Sequence, residues 1–231
     1  NPSAFVVRAR LTDNPHLDRA DYERSLMELD PITRAQLLNG DWTVRHGGSL
    51  FRREWFEVVG EEPATLQKLR YWDLAATEAK DGRDPDWTVG LLLGRGGNGI
   101  YYVLDVSRLR GTPAAVEARI KQIAELDGKN VPIWVEQEPG SSGVNTIDHY
   151  VRTVLPGWAV RGQRSTGSKV ERANPVSSQA EAGNIKLLSR SWVLGFLDEL
   201  EGFPQGSHDD QVDALSGAFS RYNSAVAKIW V

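Results

Sequence analysis

Cysteine is absent from the 231 residues, which excludes disulfides, thiolate metal sites and cysteine nucleophiles. That absence suits a reducing compartment without requiring one. No apolar run approaches the roughly 18–20 residues a membrane-spanning helix needs. No signal peptide is visible, and no membrane association is expected. The chain opens on Asn1 rather than Met and is read as a fragment of a longer chain. It has no G-x-x-x-x-G-K-[ST] loop to cradle nucleotide phosphates, so no ATPase motif is present. Positive charge is also in deficit, with 27 Lys and Arg against 31 Asp and Glu, for a net charge of −4. A protein whose whole surface bound DNA would need Lys and Arg to neutralise phosphates. The balance argues against that, while leaving room for a local basic patch.

What is present divides near Glu61-Glu62-Pro63. Residues 1–65 read as an arm rich in helix and aromatic residues. The spacing predicts a strand over 5–11, a turn at Thr12–Pro15, and a helix over 18–29 that Asp30-Pro31 stops. A shorter helix over 32–38 ends at Asn39-Gly40, and Phe51, Trp55 and Phe56 follow. Residues 66–231 have a different pattern. Strands are predicted at 69–75, 87–93 and 100–106, the last two joined by a glycine-rich turn that signals a hairpin. Pro113 opens a helix that Gly128 closes, and the apolar strand 131–135 runs into Glu136-Gln137-Glu138. A helix over 146–155, a strand over 158–161 and a helical stretch from Lys169 to Ala182, interrupted by Pro175, come next. The strand 185–188, a helix over 192–200 and a last helix from near His208 complete the chain. A meander followed by alternating helices and strands implies an α/β fold with a mixed sheet covered on both faces. The ribonuclease H-like fold has this order.

Carboxylates concentrate at three separated places. Asp209, Asp210 and Asp213 open the last helix, whose core face runs through Val212, Leu215, Phe219 and Tyr222. Helical geometry puts Asp209 and Asp213 one turn apart beside that face, with Asp210 further round. Asp73 ends an apolar strand, where an unpaired charge is expensive. Glu136 and Glu138 close the fourth strand and, two residues apart in extended chain, face the same way. Acidic residues suit a helix N-terminus in any case. Three groups that a neighbouring pair of strands would bring to one sheet edge point instead to an all-oxygen site for Mg²⁺ or Mn²⁺. Two such ions roughly 3.5–4 Å apart clamp an in-line phosphoryl displacement.

The motifs resemble those of the C-terminal nuclease domain of the large terminase subunit of tailed bacteriophages. Trp72-Asp73-Leu74-Ala75-Ala76-Thr77 resembles its first acidic motif, with Asp86-Trp87-Thr88-Val89-Gly90 following. Glu136-Gln137-Glu138-Pro139-Gly140-Ser141-Ser142-Gly143 resembles the second. Lys169-Val170-Glu171-Arg172-Ala173 and the stretch from Phe203 to Leu215, with its His208-Asp209-Asp210 core, resemble the late motifs. The resemblance spans roughly residues 68–222, and Asp13-Asn14-Pro15 with Leu38–Trp42 resembles the stretch joining the family's ATPase domain to its nuclease.

The resemblance implies a metal-dependent endonuclease that cuts concatemeric double-stranded viral DNA during genome packaging. It implies Asp73 and Glu138 (Glu136 as backup) as metal ligands, with Asp209, Asp210 and Asp213 completing the catalytic set. The family's late pair favours Asp209 with Asp210, where helix geometry favours Asp209 with Asp213. Its implied partners are double-stranded DNA, an ATPase domain preceding this part, a small terminase subunit and a portal, all in the host cytoplasm. DNA contact is expected from Arg161, Arg164, Lys169 and Arg172, with Arg108 and Arg110 adding to it. His208 is read either as a helix-start residue or as a proton shuttle. Asp84 and Asp86 are read either as acids that approach the site or as loop acids, with the loop reading preferred, and Trp72, Trp87, Trp134, Trp158 and Trp192 as core. A junction resolvase or transposase-like nuclease, and a non-catalytic docking module, are the competing readings.

Overall fold

The computed structural model describes residues 50–75 and 85–226. The strand and helices expected over 5–38, and Asp84, lie outside the described residues. The chain divides into two compact units, Asn1–Gly48 and Ser49–Val231, and all described residues belong to the second.

Seven strands form one mixed sheet in the order β1-β7-β4-β3-β2-β5-β6. β2 (Gln67–Asp73), β3 (Thr88–Arg95) and β4 (Tyr101–Leu109) make the expected antiparallel meander. β5 (Ile133–Gln137) lies parallel to β2, and β6 (Val160–Arg164) parallel to β5. β7 (Ile185–Leu188) lies parallel to β4 on the other side. The helices are α1 (Pro113–Asp127), α2 (Ser141–His149), α3 (Lys169–Glu181), α4 (Val193–Gly202) and α5 (Asp210–Val226). A π turn, Tyr150–Val154, continues α2.

The unit begins earlier than the division expected near residue 65. β1 (Glu57–Val59) pairs in parallel with β7, so residues before 65 belong to the sheet. Phe51 and Phe56 are buried in the same core cluster as Tyr71 and Leu215. The Ser177 hydroxyl donates to the Leu50 carbonyl at 2.6 Å, tying this segment to α3. At three residues, β1 is too short to show alternation in the sequence.

Strand alternation assigns the faces. Leu69 and Tyr71 pack in the cluster beneath α3, α4 and α5, whereas Trp72 packs with Ile120, Ile123 and Val135 beneath α1. Asp73, two residues beyond Tyr71, therefore faces the α5 side. On β5, Val135 faces α1, so Glu136 faces the α5 side with Trp134. Tyr222 anchors α5 across the meander, donating toward the carbonyls of Gln67 at 2.5 Å and Leu93 at 2.9 Å.

Helix boundaries follow local chemistry. The Thr112 side chain caps α1, Pro113 sits in its first turn, and Gly128 ends it. Ser168 and Glu171 form a reciprocal capping box at the start of α3. The interruption expected at Pro175 does not occur, and α3 runs unbroken from Lys169 to Glu181. An internal proline removes one backbone donor. Here fully buried Ala173, Val176 and Ala180 hold the helix on the sheet on either side of it.

Candidate metal centre

β2 and β5 run parallel, with Tyr71 opposite Trp134 and Trp72 opposite Val135. Extending that register by one residue sets Asp73 beside Glu136. The Ala75 N–H donates to the Thr88 hydroxyl at 3.1 Å, fixing the chain just past Asp73. α5 packs against the same end of the sheet and brings Asp210 and Asp213 to it. Asp73, Glu136, Glu138, Asp210 and Asp213 all line one cleft of about 590 Å³, together with Trp87, Lys169 and Arg172.

Electrostatics identify the tightest part of this group. Burial, then the charges of Glu136, Asp213 and Asp210, push the Asp73 carboxyl well above the ordinary carboxylate range, with Lys169 opposing. Burial also raises Asp210, against a hydrogen bond from the Trp87 backbone N–H, and Glu199, Asp86 and Asp209 raise it further. One Asp210 oxygen, Oδ2, is buried without a hydrogen bond.

Two cations from α3 partly offset this charge. Lys169 Nζ lies 2.6 Å from Asp209 and 2.9 Å from Asp213, and Arg172 Nη2 lies 2.6 Å from Asp213. Burial works against the Lys169 ammonium, but its hydrogen bonds to both aspartates prevail and raise its pKa.

The structure thus places the expected residues unequally. Asp210 and Asp213 line the cleft, whereas Asp209 turns to Lys169 and its carbonyl accepts the Asp213 N–H at 2.9 Å as α5 begins. Glu136 lies within β5 and acts on Asp73. Glu138 falls beyond the strand end and is exposed at the cleft margin, so the two glutamates do not share a strand face. Of the four expected DNA-binding residues, Lys169 and Arg172 are engaged with carboxylates, while Arg161 and Arg164 lie exposed on β6. The Arg161 guanidinium stacks 5.6 Å from the partly buried Trp134 ring.

Residues given secondary roles in the sequence also gather here, together with one that had no signal. Asp86, read as a loop acid, lies with His208 and Asp210 in a group whose ligand atoms are all within 4.8 Å of one another. His208 Nε2 is 3.3 Å from Arg110 Nη2. Arg108 and Arg110 stack on Trp87, at 4.5 Å and 3.9 Å from its ring. Glu199, from α4, accepts both the Gln211 backbone N–H and its side-chain amide at 2.6 Å, and pairs with Arg108 at 3.4 Å. It holds the first turn of α5 in place. Nothing in the sequence set it apart from its acidic neighbours Asp198 and Glu201.

The donor set fits a hard divalent cation. Oxygen ligands predominate, the carboxylates are crowded, and a buried Asp210 oxygen accepts no hydrogen bond. A cation between them would offset the burial and the carboxylate repulsion that push the Asp73 carboxyl upward.

The family model described as "Terminase RNaseH-like domain" matches residues 70–221. No curated protein matches the chain. Among solved structures, the large terminase nuclease from thermophilic phage G20c is similar at 16% identity and a TM-score of 0.53, over 75% of this chain and 98% of that one. The same nuclease with bound magnesium is similar at 18% identity and a TM-score of 0.51, over 77% of this chain and 99% of that one. A manganese-soaked, inhibitor-bound human cytomegalovirus terminase nuclease domain is similar at 13% identity and a TM-score of 0.53, over 74% and 94%. The likeness confirms the mixed-sheet fold, and the match over residues 70–221 shows that this chain belongs to the terminase RNase H-like domain family.

Proposed function

We propose that the chain is a metal-dependent endonuclease that cuts concatemeric double-stranded viral DNA during genome packaging. The observation that carries this reading is the convergence of Asp73, Glu136, Asp210 and Asp213, from three distant stretches of sequence, at one sheet edge. Asp73, Glu136 and Asp213 would hold one Mg²⁺ or Mn²⁺. Asp210, with Asp86 and His208 beside it, offers a second position. Similar folds solved with magnesium bound and manganese soaked support these ions. When bound, such a pair supplies Lewis acidity and a lowered water pKa for in-line displacement at phosphorus.

The protein's own groups prepare that chemistry. Lys169 and Arg172 orient Asp213 and set positive charge at the cleft wall, where a phosphate approaches. Trp87, with Arg108 and Arg110 stacked on its ring, also lines the cleft, and its backbone N–H donates to Asp210. His208, whose Nδ1 is 3.7 Å from Asp210, would move a proton beside that carboxylate. Exposed Arg161 and Arg164 extend the contact along the DNA backbone, which positions without reading bases. Within a packaging machine the partners are an ATPase domain, a small terminase subunit and a portal, acting in the host cytoplasm. No helix among the described residues is long and apolar enough to cross a membrane.

The test is cleavage of linear duplex DNA by the 231-residue chain with Mn²⁺. Asp73→Asn should lower the rate at least about a hundred-fold, beyond the loss typical of disturbing a group that merely orients a ligand. Intact DNA and no Asp73-dependent Mn²⁺ binding would refute the proposal. A strong preference for four-way junctions over linear duplex would favour a resolvase.

A further inference from the structure

Behind the carboxylate cleft lies a second, smaller pocket of about 190 Å³ between β2, β6, α3 and α5. It shares Ser165 and Arg172 with the cleft, so the two adjoin. Its chemistry is the reverse of the cleft's, for no carboxylate lines it. Arg164 and Arg172 contribute positive charge, and five hydroxyl-bearing residues line it, among them Tyr71, Ser165 and Ser216.

Two of these hydroxyls are buried with their hydrogen-bonding capacity unused. Ser216 is 3% exposed and its Oγ has no partner. Tyr71 is fully buried, and its hydroxyl, although beside Ser165, makes no hydrogen bond of good geometry. Buried polar groups without partners are costly, and their persistence calls for an explanation. Helical spacing places Ser216 and Ser220 on the turns that follow Asp213, on one face of α5. Gly217 on that face makes room for the Tyr71 ring, since a Cβ there would sit 2.2 Å from Tyr71 Cζ. The pocket reaches the surface at Arg164 and Thr166, both exposed. At roughly 30 Å³ of liquid volume per water, it has room for a tetrahedral oxyanion.

We propose that this pocket binds a phosphate of the DNA backbone close to the phosphate cut in the carboxylate cleft. The inference rests on the nuclease reading and adds a positioning subsite to it. Arg164 supplies charge at the mouth, and Tyr71 and Ser216 donate to the phosphate oxygens at the base. Arg172 links the two sites, contacting Asp213 on one side and lining the phosphate pocket on the other.

Tyr71→Phe, Ser216→Ala, the double variant and Arg164→Gln test this in the full 231-residue chain, each in the Asp73→Asn background so that DNA stays intact. Fluorescence anisotropy with a labelled duplex should show affinity about ten-fold weaker for each lost hydroxyl, the size of a hydrogen bond to a charged group. Arg164→Gln should reduce the slope of log affinity against log salt by about one. Melting temperatures without DNA should stay level, because the lost hydroxyls have no protein partner. If one hydroxyl variant fails to fold, the other and Arg164→Gln carry the test. Inorganic phosphate, against chloride at equal ionic strength, should raise the melting temperature of the Asp73→Asn protein and not that of its Tyr71→Phe, Ser216→Ala derivative. Unchanged DNA affinity in the hydroxyl variants would overturn the proposal, and together with a phosphate response that the Tyr71→Phe, Ser216→Ala derivative loses it would assign the pocket to free phosphate. An equal phosphate response in both proteins would remove the pocket as an anion site. Cleavage by the otherwise unaltered chain with Mn²⁺ is measured in parallel, so loss of the subsite is distinguished from failure of the nuclease reading.

Discussion

The Lys169 ammonium lies 2.9 Å from the Asp213 carboxylate, a group the proposed metal also needs. A protein cation and a divalent ion thus compete for one ligand. Lys169→Ala should therefore bind Mn²⁺ more tightly by a factor of roughly two to five, the size of a partly exposed ion pair. Isothermal titration measures this. Weaker Mn²⁺ binding would mean that Lys169 helps to form the site rather than contesting it.

Asp73 gives the metal-free protein a pH dependence of definite sign. Burial and the neighbouring carboxylates raise its pKa in the folded state, so the folded protein holds this proton where the unfolded chain has released it. Stability from this group is complete below the ordinary carboxylate pKa of about 4 and is lost as pH rises through the raised folded value. In EDTA, the melting temperature should fall as pH rises above that ordinary range, and Asp73→Asn should flatten the trend and melt higher near pH 7. A flat profile in the unaltered chain would contradict the crowding.

Gly143 is a second point of constraint. A Cβ at this position would lie 2.1 Å from the Glu138 carbonyl oxygen, and backbone cannot yield as a flexible side chain can. Gly143→Ala should shift the start of α2 away from the end of β5, with a loss of about 1–3 kcal/mol in stability. Cleavage should fall as well, because Glu136 and Glu138 lie at that junction. Denaturant melts and rates with Mn²⁺ check both effects.

Much of this arrangement was legible in the sequence where a residue's own chemistry decides the outcome. Pro113 and Gly128 delimit α1 as expected. An Asp in the apolar stretch Tyr71–Ala75 signalled an unusual carboxylate, and Asp73 lies where strand order placed it. What was not legible depends on contacts remote in sequence. β1 exists because β7 offers an edge to a three-residue segment. The place where β5 ends, which separates Glu136 from Glu138, is fixed by the approach of Gly143. Asp209 turns from the cleft because Lys169, 40 residues earlier, meets it there.

A structural ion pair provides a contrast far from the cleft. Arg70 is 1% exposed, donates to both oxygens of Asp127 at 2.7 Å, and contacts Asp105 at 2.8 Å. Asp127→Asn would leave the buried guanidinium short of its main partner, at a loss of roughly 3–5 kcal/mol. Thermal or denaturant unfolding should show that loss, while Mn²⁺ affinity stays at its original value. A change in Mn²⁺ affinity would show that the two faces of the sheet are coupled.

The most direct test of the central claim is anomalous diffraction from crystals soaked in Mn²⁺. A manganese peak bonded to carboxylate oxygens of Asp73 and Asp213, with Glu136 as a third ligand, is the expected result. Ordered manganese elsewhere on the protein, with the Asp73 and Asp213 carboxylates unligated, would contradict it.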